Sequence, residues 1–586
     1  MNQPPTEEKI LALRRNLAIQ RDDCLRLAPH QAMARILDAP QPAALVHAFS
    51  EEDLHILIRE IGADDALPLI ALASHKQLEY LLDQEIWQRD RIDMAATTQW
   101  IDRLLKAEAS PGRMIDWLTS AKDDLIEWFL FRSIDVRILD QDEDPSAFGP
   151  AFFTYDSVFY IRTRDALTTE KENGAEPDDA APPSIARQLL DHMAAHDYIR
   201  LQGLLLEAAN ILPAETEEEA YRLRSVRLAE RGFLPFEEAI GLYQPLNRKA
   251  FAHLAGRQHD LAPEQPDLFP MVPMTLLAGG NLFNRAIERI PSREQRQALQ
   301  EEFAALCNRI IVADRQTIDS RENLSSIVAK ASGFIHLGLQ HHLSTESESM
   351  PNDASAARAL CRYHLEGFFR LGYGEAVRLK RAAEEWVHQS WFAGCGLSLT
   401  FWGETWLGVL GGLLLKRPLF FDNYQTGRMY REFADTSDIA WSRQQLEQVQ
   451  AFDHLLARLD PSLTSAKTCG FLTYKSLLLT LWARRCLALP DKLDRIPVAT
   501  FQPFFRGLFQ FSAPSTEQHL IDRTRRRDFL MWLADRTDHS ADDLSASIGT
   551  SLEALFTELE DTYGRVSADD IDPRYIHHFL LSSQTT

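Results

Sequence analysis

The chain has 586 residues and is therefore too long for a single core. Hydrophobic residues make up 45% of it and charged residues 25%, which is typical of a folded globular protein. Its 62 basic and 85 acidic residues give a net charge of −23, which repels phosphate backbones and argues against nucleic acid as a partner. The six cysteines form no CxxC pair and the N-terminus has no signal-peptide pattern, so we expect reduced thiols and a cytoplasmic protein.

After an amphipathic helix at residues 7–25, residues 26–85 form five successive steps of twelve residues. The eighth and ninth residues of every step are apolar: Met33, Leu45, Leu57, Leu69 and Leu81, then Ala34, Val46, Ile58, Ile70 and Leu82. Ser50 and Ser74 suit helix N-caps, and Gly62 suits the junction of two helices. Helices this short hold only when their apolar stripes pack on neighbours, so the pattern predicts a superhelical stack.

Between residues 123 and 183 the sequence changes from a helical pattern to a strand-like one and then to a polar segment. Residues 123–139 are apolar on nearly every face and predict one long buried helix. Residues 152–164 contain two β-branched and aromatic runs around Asp156-Ser157, which predicts a small β-hairpin. Residues 168–183 lack large apolar side chains and predict a mobile loop.

From residue 184 onward the apolar spacing is helical almost throughout. We therefore predict an all-α, multidomain protein with an N-terminal superhelical stack of short helices and a small β-hairpin element near residues 152–164. The predicted segments are a repeat domain at 1–139, the hairpin and mobile acidic loop at 140–183, a helical domain at 184–343, a linker at 344–355 and a C-terminal helical domain at 356–586.

Residues 394–415 approach the length of a membrane span and contain Glu404 as their one charged residue. Glu404 and Thr405 lie at the centre of this stretch, and the apolar run after them is too short to cross a bilayer. We therefore favour a buried helical hairpin and expect no integral membrane segment.

The sequence contains no Walker A loop, no GxGxxG, no HExxH and no GxSxG. His336, His341 and His342 lack the spacing of metal ligands on one helix face, and Cys361 with His364 lacks further ligands. We therefore predict no catalytic residues, no cofactor and no metal site.

Two groups of residues are candidate sites. Glu218, Arg222, Arg224 and Arg227 form a polar cluster on one predicted helix, where Glu218 and Arg222 have the favourable spacing and order for an ion pair. For this group we favour a structural ion-pair network over a catalytic one.

The second group is Trp402, Trp406, Arg417 and Asp422, in a tryptophan-rich part of the chain. Aromatic residues at this density can line a pocket or fill a core. We favour the core.

Several segments resemble an uncharacterised bacterial family, domain of unknown function 6178. They are residues 58–93, 217–243, 364–379, 416–422 and 571–576, which together span nearly the whole chain. The resemblance implies no activity. The twelve-residue steps also resemble the helical cytoplasmic domain of MgtE-type magnesium channels and, more distantly, flagellar motor switch proteins. The membrane helices of the channel have no counterpart here, so that resemblance does not imply transport.

We predict an interaction or scaffold protein with a protein partner of unknown identity, because stacked short helices present an extended face. One alternative is an enzyme with a Trp-rich pocket. Another is a regulator that senses a divalent cation through the acidic repeat loops, whose acids are Glu51, Glu52, Asp53, Asp64 and Asp65. These acids lie at predicted helix N-termini, where the helix dipole stabilises them without an ion.

Overall fold

The computed structural model describes residues 7–107, 111–139, 144, 148–149, 151–164, 184–208, 213–254, 256, 270–277, 280–344, 352–459, 472–510 and 520–583. Helices dominate these residues, and the strands form small sheets of two or three strands. This confirms the predicted all-α class with a small β element. The predicted mobile loop at residues 168–183 lies outside the described residues.

The first half of the chain contains helices α1 (Glu7–Leu25), α2 (Pro29–Leu37), α3 (Pro42–Val46), α4 (Glu51–Ile61), α5 (Leu67–Ile70), α6 (His75–Glu85), α7 (Met94–Ala107), α8 (Pro111–Ala121), α9 (Asp123–Ser133), α10 (Ile185–His196), α11 (Tyr198–Ala208), α12 (Pro213–Ala229), α13 (Phe236–Ala239), α14 (Arg248–Ala252), α15 (Val272–Thr275) and α16 (Leu282–Glu288). A 3-10 turn at Ile240–Tyr243 follows α13.

The second half contains helices α17 (Arg293–Asp314), α18 (Arg321–Leu343), α19 (Asp353–Arg362), α20 (Leu365–Gln389), α21 (Trp391–Gly394), α22 (Gly403–Leu413), α23 (Thr436–Leu459), α24 (Tyr474–Cys486), α25 (Val498–Arg506), α26 (Arg523–Thr537) and α27 (Ala541–Tyr563). Two 3-10 turns, Leu399–Trp402 and Ala568–Asp570, precede α22 and follow α27.

The strands are β1 (Trp87–Gln88), β2 (Arg91–Ile92), β3 (Ile134–Ile138), β4 (Phe153–Thr154), β5 (Phe159–Thr163), β6 (Phe420–Phe421), β7 (Tyr430–Arg431), β8 (Ile496–Pro497), β9 (Phe509–Gln510), β10 (Leu520–Ile521) and β11 (Leu581–Ser582). β8 and β11 pair in parallel, and the other pairs are antiparallel.

The predicted repeats form the short helices α2 to α6. In the last four steps both apolar columns are buried, from Leu45 and Val46 to Leu81 and Leu82. In the first step Ala32 and Ile36 are buried instead. The side chain of Ser50 accepts a hydrogen bond from the Asp53 N–H, and Ser74 forms a capping box with Gln77. The N-caps expected from the sequence are therefore present.

The prediction of one helix over residues 123–139 is wrong, because α9 ends at Ser133. The next five residues, Ile134–Ile138, form β3 and pair with β5. β-Branched side chains alternate along this segment, which favours an extended strand over a helix. The predicted hairpin is confirmed: β4 and β5 pair antiparallel across the Asp156-Ser157 turn, so the three strands form one sheet in the order β3-β5-β4.

The chain divides into two compact units. Unit 1 contains Met1–Gln244, Leu254–Ser332 and Asn352–Glu366, and unit 2 contains Pro245–His253, Gly333–Pro351 and Gly367–Thr586. The five domain segments expected from the sequence stay a prediction. Within unit 1, α4 packs on α6, α12 packs on α9 and α16 packs on α19.

In unit 2, the part of α18 from Gly333 onward packs closely on α20. A Cβ atom added at Gly338 would collide with the backbone of Phe368, and one added at Gly372 would collide with the backbone of Phe334. Glycine at these two positions allows the helices to approach at backbone distance. The stretch at 394–415 forms the Leu399–Trp402 turn and α22, and α22 packs on α23. None of the helices in the described residues has the length and apolar character of a membrane span.

Candidate functional site

A cavity of about 240 Å³ lies within unit 1. Its walls come from α4, α6, α17 and the segments that follow α12 and precede α18. The polar lining residues are Glu52, His55, Arg59, Gln84, Glu85, Asn308, Gln316 and Thr317, and the aromatic ones are Tyr80, Trp87 and Phe233.

The helical spacing of α4 and α6 brings the polar lining residues together. Glu52, His55 and Arg59 are three and four residues apart and therefore share one face of α4. Tyr80 and Gln84 are four residues apart on α6, which packs on α4. The N-caps of both helices fix where these faces begin.

Glu85 is the centre of an ion-pair network. Its Oε1 lies 2.6 Å from His55 Nε2 and accepts a hydrogen bond from Arg59 Nε at 2.5 Å, and its Oε2 accepts one from Arg59 Nη2 at 3.0 Å. Burial alone would raise the pKa of Glu85, but the hydrogen bonds from His55 and Arg59 outweigh it and hold this pKa at about 2. The carboxylate therefore stays ionised and orients the His55 ring.

Glu52 is the second acid of the cavity and is almost completely buried. Its Oε1 accepts a hydrogen bond from Arg231 Nη1 at 2.7 Å, and the same nitrogen lies 3.1 Å from Glu51 Oε2. Burial raises the pKa of Glu52 even though Arg231 opposes the shift. Two carboxyl groups share one guanidinium here, so the pair keeps an excess of negative charge when both are ionised.

Two buried polar atoms of lining residues have no hydrogen-bond partner among the described residues. They are Oε2 of Glu52 and Nε2 of Gln84. An acceptor and a donor on two residues that line the same cavity are thus both unsatisfied. An unpaired buried polar group costs about 1–3 kcal/mol, so each one calls for an explanation.

Aromatic rings form another part of the lining. The Tyr80 ring meets the His55 ring edge-on at 5.7 Å, and the Arg231 guanidinium lies 5.2 Å from the centroid of the Tyr80 ring. The Arg224 guanidinium lies 5.2 Å from the centroid of the Trp87 ring. Such contacts fix the rings in place and give the cavity a rigid apolar surface.

Asp53 follows the lining residue Glu52 on α4 and is fully buried. Its carboxylate accepts hydrogen bonds from the N–H groups of Met271 and Val272 at 2.8 and 2.9 Å. Burial raises the pKa of Asp53 to about 6 although these hydrogen bonds lower it. Asp53 therefore caps the start of α15, the helix that holds the lining residue Pro273.

The predicted polar cluster on α12 separates into two pairs of residues. Arg227 forms a two-point ion pair with Asp83, and Arg224 donates a hydrogen bond to the Asp83 carbonyl at 2.7 Å. Glu218 and Arg222 are exposed, and Arg222 pairs with Glu219 at 2.7 Å. Arg224 and Arg227 therefore hold α12 against α6, next to the cavity.

The second predicted group also separates. Trp402 and Trp406 are buried side by side, and both rings pack on Tyr474. Asp422 is buried as well, but its carboxylate accepts hydrogen bonds from Thr426 and from Arg431. Arg417 is half-buried. The tryptophans thus lie in an aromatic core, and Asp422 stabilises a turn.

The other residues noted in the sequence have varied surroundings. Cys361 Sγ lies 3.7 Å from Gln295 Oε1, and His364 Nδ1 lies 3.2 Å from Glu302 Oε1. Of the loop acids, Asp64 pairs with Arg103 at 2.7 Å. Within the described residues, no group of three or more His, Cys, Asp or Glu side chains is arranged to hold a metal ion.

The cavity combines an oriented imidazole with two carboxyl groups whose pKa values are shifted in opposite directions. Such a set can bind a polar molecule, because its side chains include both hydrogen-bond donors and acceptors.

The chain matches the profile described as Family of unknown function (DUF6178) over residues 8–582. It belongs to this family. No curated protein and no solved structure matches the DUF6178 chain.

The sequence analysis of this DUF6178 protein named the cavity residue Glu52 as a loop acid at a helix N-terminus, but it did not predict the cavity or the roles of His55, Arg59, Gln84 and Glu85. One signal was present: Glu52, His55 and Arg59 place three polar groups on a single face of a helix whose other residues are mostly buried. Polar residues repeated at helical spacing inside an apolar repeat indicate an internal polar site. Glu85, the partner of His55 and Arg59, lies 30 residues from His55, a separation that no local pattern reveals.

Proposed function

We propose that unit 1 binds a small organic molecule in the cavity lined by Glu52, His55 and Gln84. The observation that carries this proposal is the pair of buried atoms, Glu52 Oε2 and Gln84 Nε2, which have no hydrogen-bond partner among the described residues. A ligand that supplies both partners removes two desolvation costs, each of about 1–3 kcal/mol. Hydrogen bonds from the ligand to Glu52 Oε2 and Gln84 Nε2 would then supply much of the binding free energy.

The lining defines the class of ligand. Glu52 Oε2 requires a donor, whereas Gln84 Nε2 requires an acceptor. In the part of the chain that the structure describes, Glu51 and Glu52 share Arg231, and Glu85 is balanced by Arg59, so the local charge favours a neutral molecule or one with a single positive charge. Tyr80, Trp87 and Phe233 provide surfaces for an apolar or planar body.

The test is to detect a bound ligand and then to block the cavity. Native mass spectrometry of the protein purified from its own cells should show a small molecule in stoichiometric amount. Ile318→Trp places a larger side chain at a lining position, so the small molecule should no longer be detected with this variant. Ile138→Trp makes the same change at an exposed residue of β3 and should leave the bound small molecule in place.

Ligand-observed NMR with a library of neutral and singly cationic metabolites gives a second measurement on the same variants. Binders should lose their signal changes in Ile318→Trp and keep them in Ile138→Trp. If the wild type binds no library member and carries no small molecule, or if Ile318→Trp binds as well as wild type, the cavity is not a ligand site.

A protein-interaction or scaffold role is the second candidate. It is supported by the stack of helices α2 to α6, which are 4 to 11 residues long, because stacked short helices are an architecture that repeat proteins use to bind partners. Affinity purification of the tagged protein from its native cells tests it. A stoichiometric protein partner supports the scaffold role, and isolation without any partner contradicts it.

A further inference from the structure

A second depression, of about 480 Å³ and open to solvent, lies within unit 2. It is lined by Asn247, Arg248, Lys249, His341 and Arg378. Three of these five residues are cationic. The depression is therefore chemically unlike the cavity of unit 1, whose lining combines Glu52 and Glu85 with His55 and Arg59.

Positive charge exceeds negative charge around this depression. Glu375 is buried and pairs with Arg378. Among the described residues, Arg248 donates hydrogen bonds to neutral groups, among them the His341 ring and the Ser344 hydroxyl at 2.8 Å. Lys249 is exposed and adds another charge. An excess of cations at one place is notable on a chain whose net charge is −23.

His341 holds the two arginines side by side. Its Nε2 lies 3.0 Å from Arg248 Nε, 3.3 Å from Arg378 Nη2 and 3.0 Å from Glu375 Oε1. Burial, together with Arg248, Arg378 and Arg443, lowers the pKa of His341 to about 4. That effect also places Arg443, an exposed residue of α23, within electrostatic range of the depression.

We propose that this depression binds a small molecule through a doubly charged phosphate group. Arg248, Lys249 and Arg378 offer donors from α14 and α20 around the His341 imidazole, and the charge of Arg443 on α23 adds to the positive field. A phosphate has enough oxygens and charge to engage several of them together, whereas a single carboxylate has two oxygens and one charge. The open shape leaves room for the organic part of the ligand to project outward.

The first experiment uses inorganic pyrophosphate and inorganic phosphate as probes with the full chain. Binding is measured by isothermal titration calorimetry at fixed ionic strength. The site variant is Lys249→Gln with Arg443→Gln, because both side chains are exposed and their removal should leave the fold intact. The matched control is Lys416→Gln with Arg381→Gln, which removes the same charges from exposed positions of unit 2 outside the lining.

Pyrophosphate should bind the wild type and the control equally, and the site variant roughly tenfold or more weakly, since each lost charge-assisted hydrogen bond contributes about that factor. Equal binding to all three proteins would show general charge attraction and overturn the proposal. Absence of pyrophosphate and phosphate binding to the wild type would overturn it as well. Thermal melting of each variant confirms that the fold is retained.

A second arm separates a soluble phosphate from a lipid headgroup. Flotation with phosphatidylcholine vesicles that contain phosphatidic acid should show no binding that depends on Lys249 and Arg443. Binding to these vesicles without binding to soluble pyrophosphate would reassign the depression to a membrane surface and overturn the small-molecule assignment.

Discussion

Arg227 donates two hydrogen bonds to Asp83, at 2.7 and 2.8 Å, across 144 residues of sequence. Asp83 is buried on α6, and Arg227 is partly exposed on α12. The ion pair connects α6 of the repeat stack to α12, which is distant from it in sequence. It also holds α6, which carries the cavity residues Tyr80, Gln84 and Glu85, in its position.

Replacement of Arg227 by Met should destabilise the protein by about 3 kcal/mol, because it leaves the Asp83 carboxylate buried without its partner. The free energy of unfolding from urea titration measures this loss. Arg222→Met removes an arginine of the same helix whose pair with Glu219 is exposed. That control should change stability by less than about 1 kcal/mol. Equal effects of the two changes would contradict a structural role for Arg227.

Leu69→Ala should cost about 2–5 kcal/mol as a core truncation, because Leu69 is fully buried in the repeat stack. Leu37→Ala serves as the control, since Leu37 is 38% exposed at the end of α2. Chemical denaturation of both variants gives the comparison. An unchanged midpoint for Leu69→Ala would be incompatible with the packing of the apolar columns.

The lowered pKa of Glu85 leads us to expect that the stability of the protein depends on pH. Its folded pKa of about 2 is below the ordinary value of 4.5, so its contribution is present above pH 4.5 and is lost as the pH falls toward 2. The difference in unfolding free energy between wild type and Glu85→Gln should therefore be constant at neutral pH and shrink below pH 4.5. Urea titrations from neutral pH down to the onset of acid unfolding test this. A difference that grows on acidification would contradict the assigned ion pair.

Magnesium at millimolar concentration should raise the melting temperature no more than sodium chloride of equal ionic strength. Asp64 already pairs with Arg103, Glu51 and Glu52 pair with Arg231, and Asp53 caps α15, so these acids have protein partners. Differential scanning fluorimetry compares the two salts. A magnesium-specific rise that disappears in an Asp64→Asn and Asp65→Asn double variant would support the cation-sensing alternative.

The repeat stack could be predicted from the sequence because its signal is local. The apolar columns and the N-caps Ser50 and Ser74 all depend on residues a few positions apart. The first step deviates: burial moves to Ala32 and Ile36, in a helix that begins at Pro29. Proline at a first helical position fixes where a helix begins and thereby which side chains face inward.

The site could not be predicted in the same way because its partners are distant in sequence. The Glu85 partner of His55 and the Arg231 partner of Glu52 are 30 and 179 residues away. The missed strand β3 has the same cause, since it requires β5 to satisfy its backbone hydrogen bonds. The tryptophan-rich sequence around Trp402 and Trp406 predicted an aromatic cluster. It could not show that both rings pack on Tyr474, which lies on a different helix.

The cap that Asp53 provides for α15 has a consequence for synthesis on the ribosome. Met271, which donates to the Asp53 carboxylate, is translated 218 residues after Asp53, and Arg231 is translated 179 residues after its partner Glu52. All the repeats have therefore been translated well before Glu52 and Asp53 of α4 gain these partners. Contacts of such long sequence separation form late in folding. A nascent chain stalled before Val272 should be cut by protease within its repeats faster than the finished protein, although it already contains all of them.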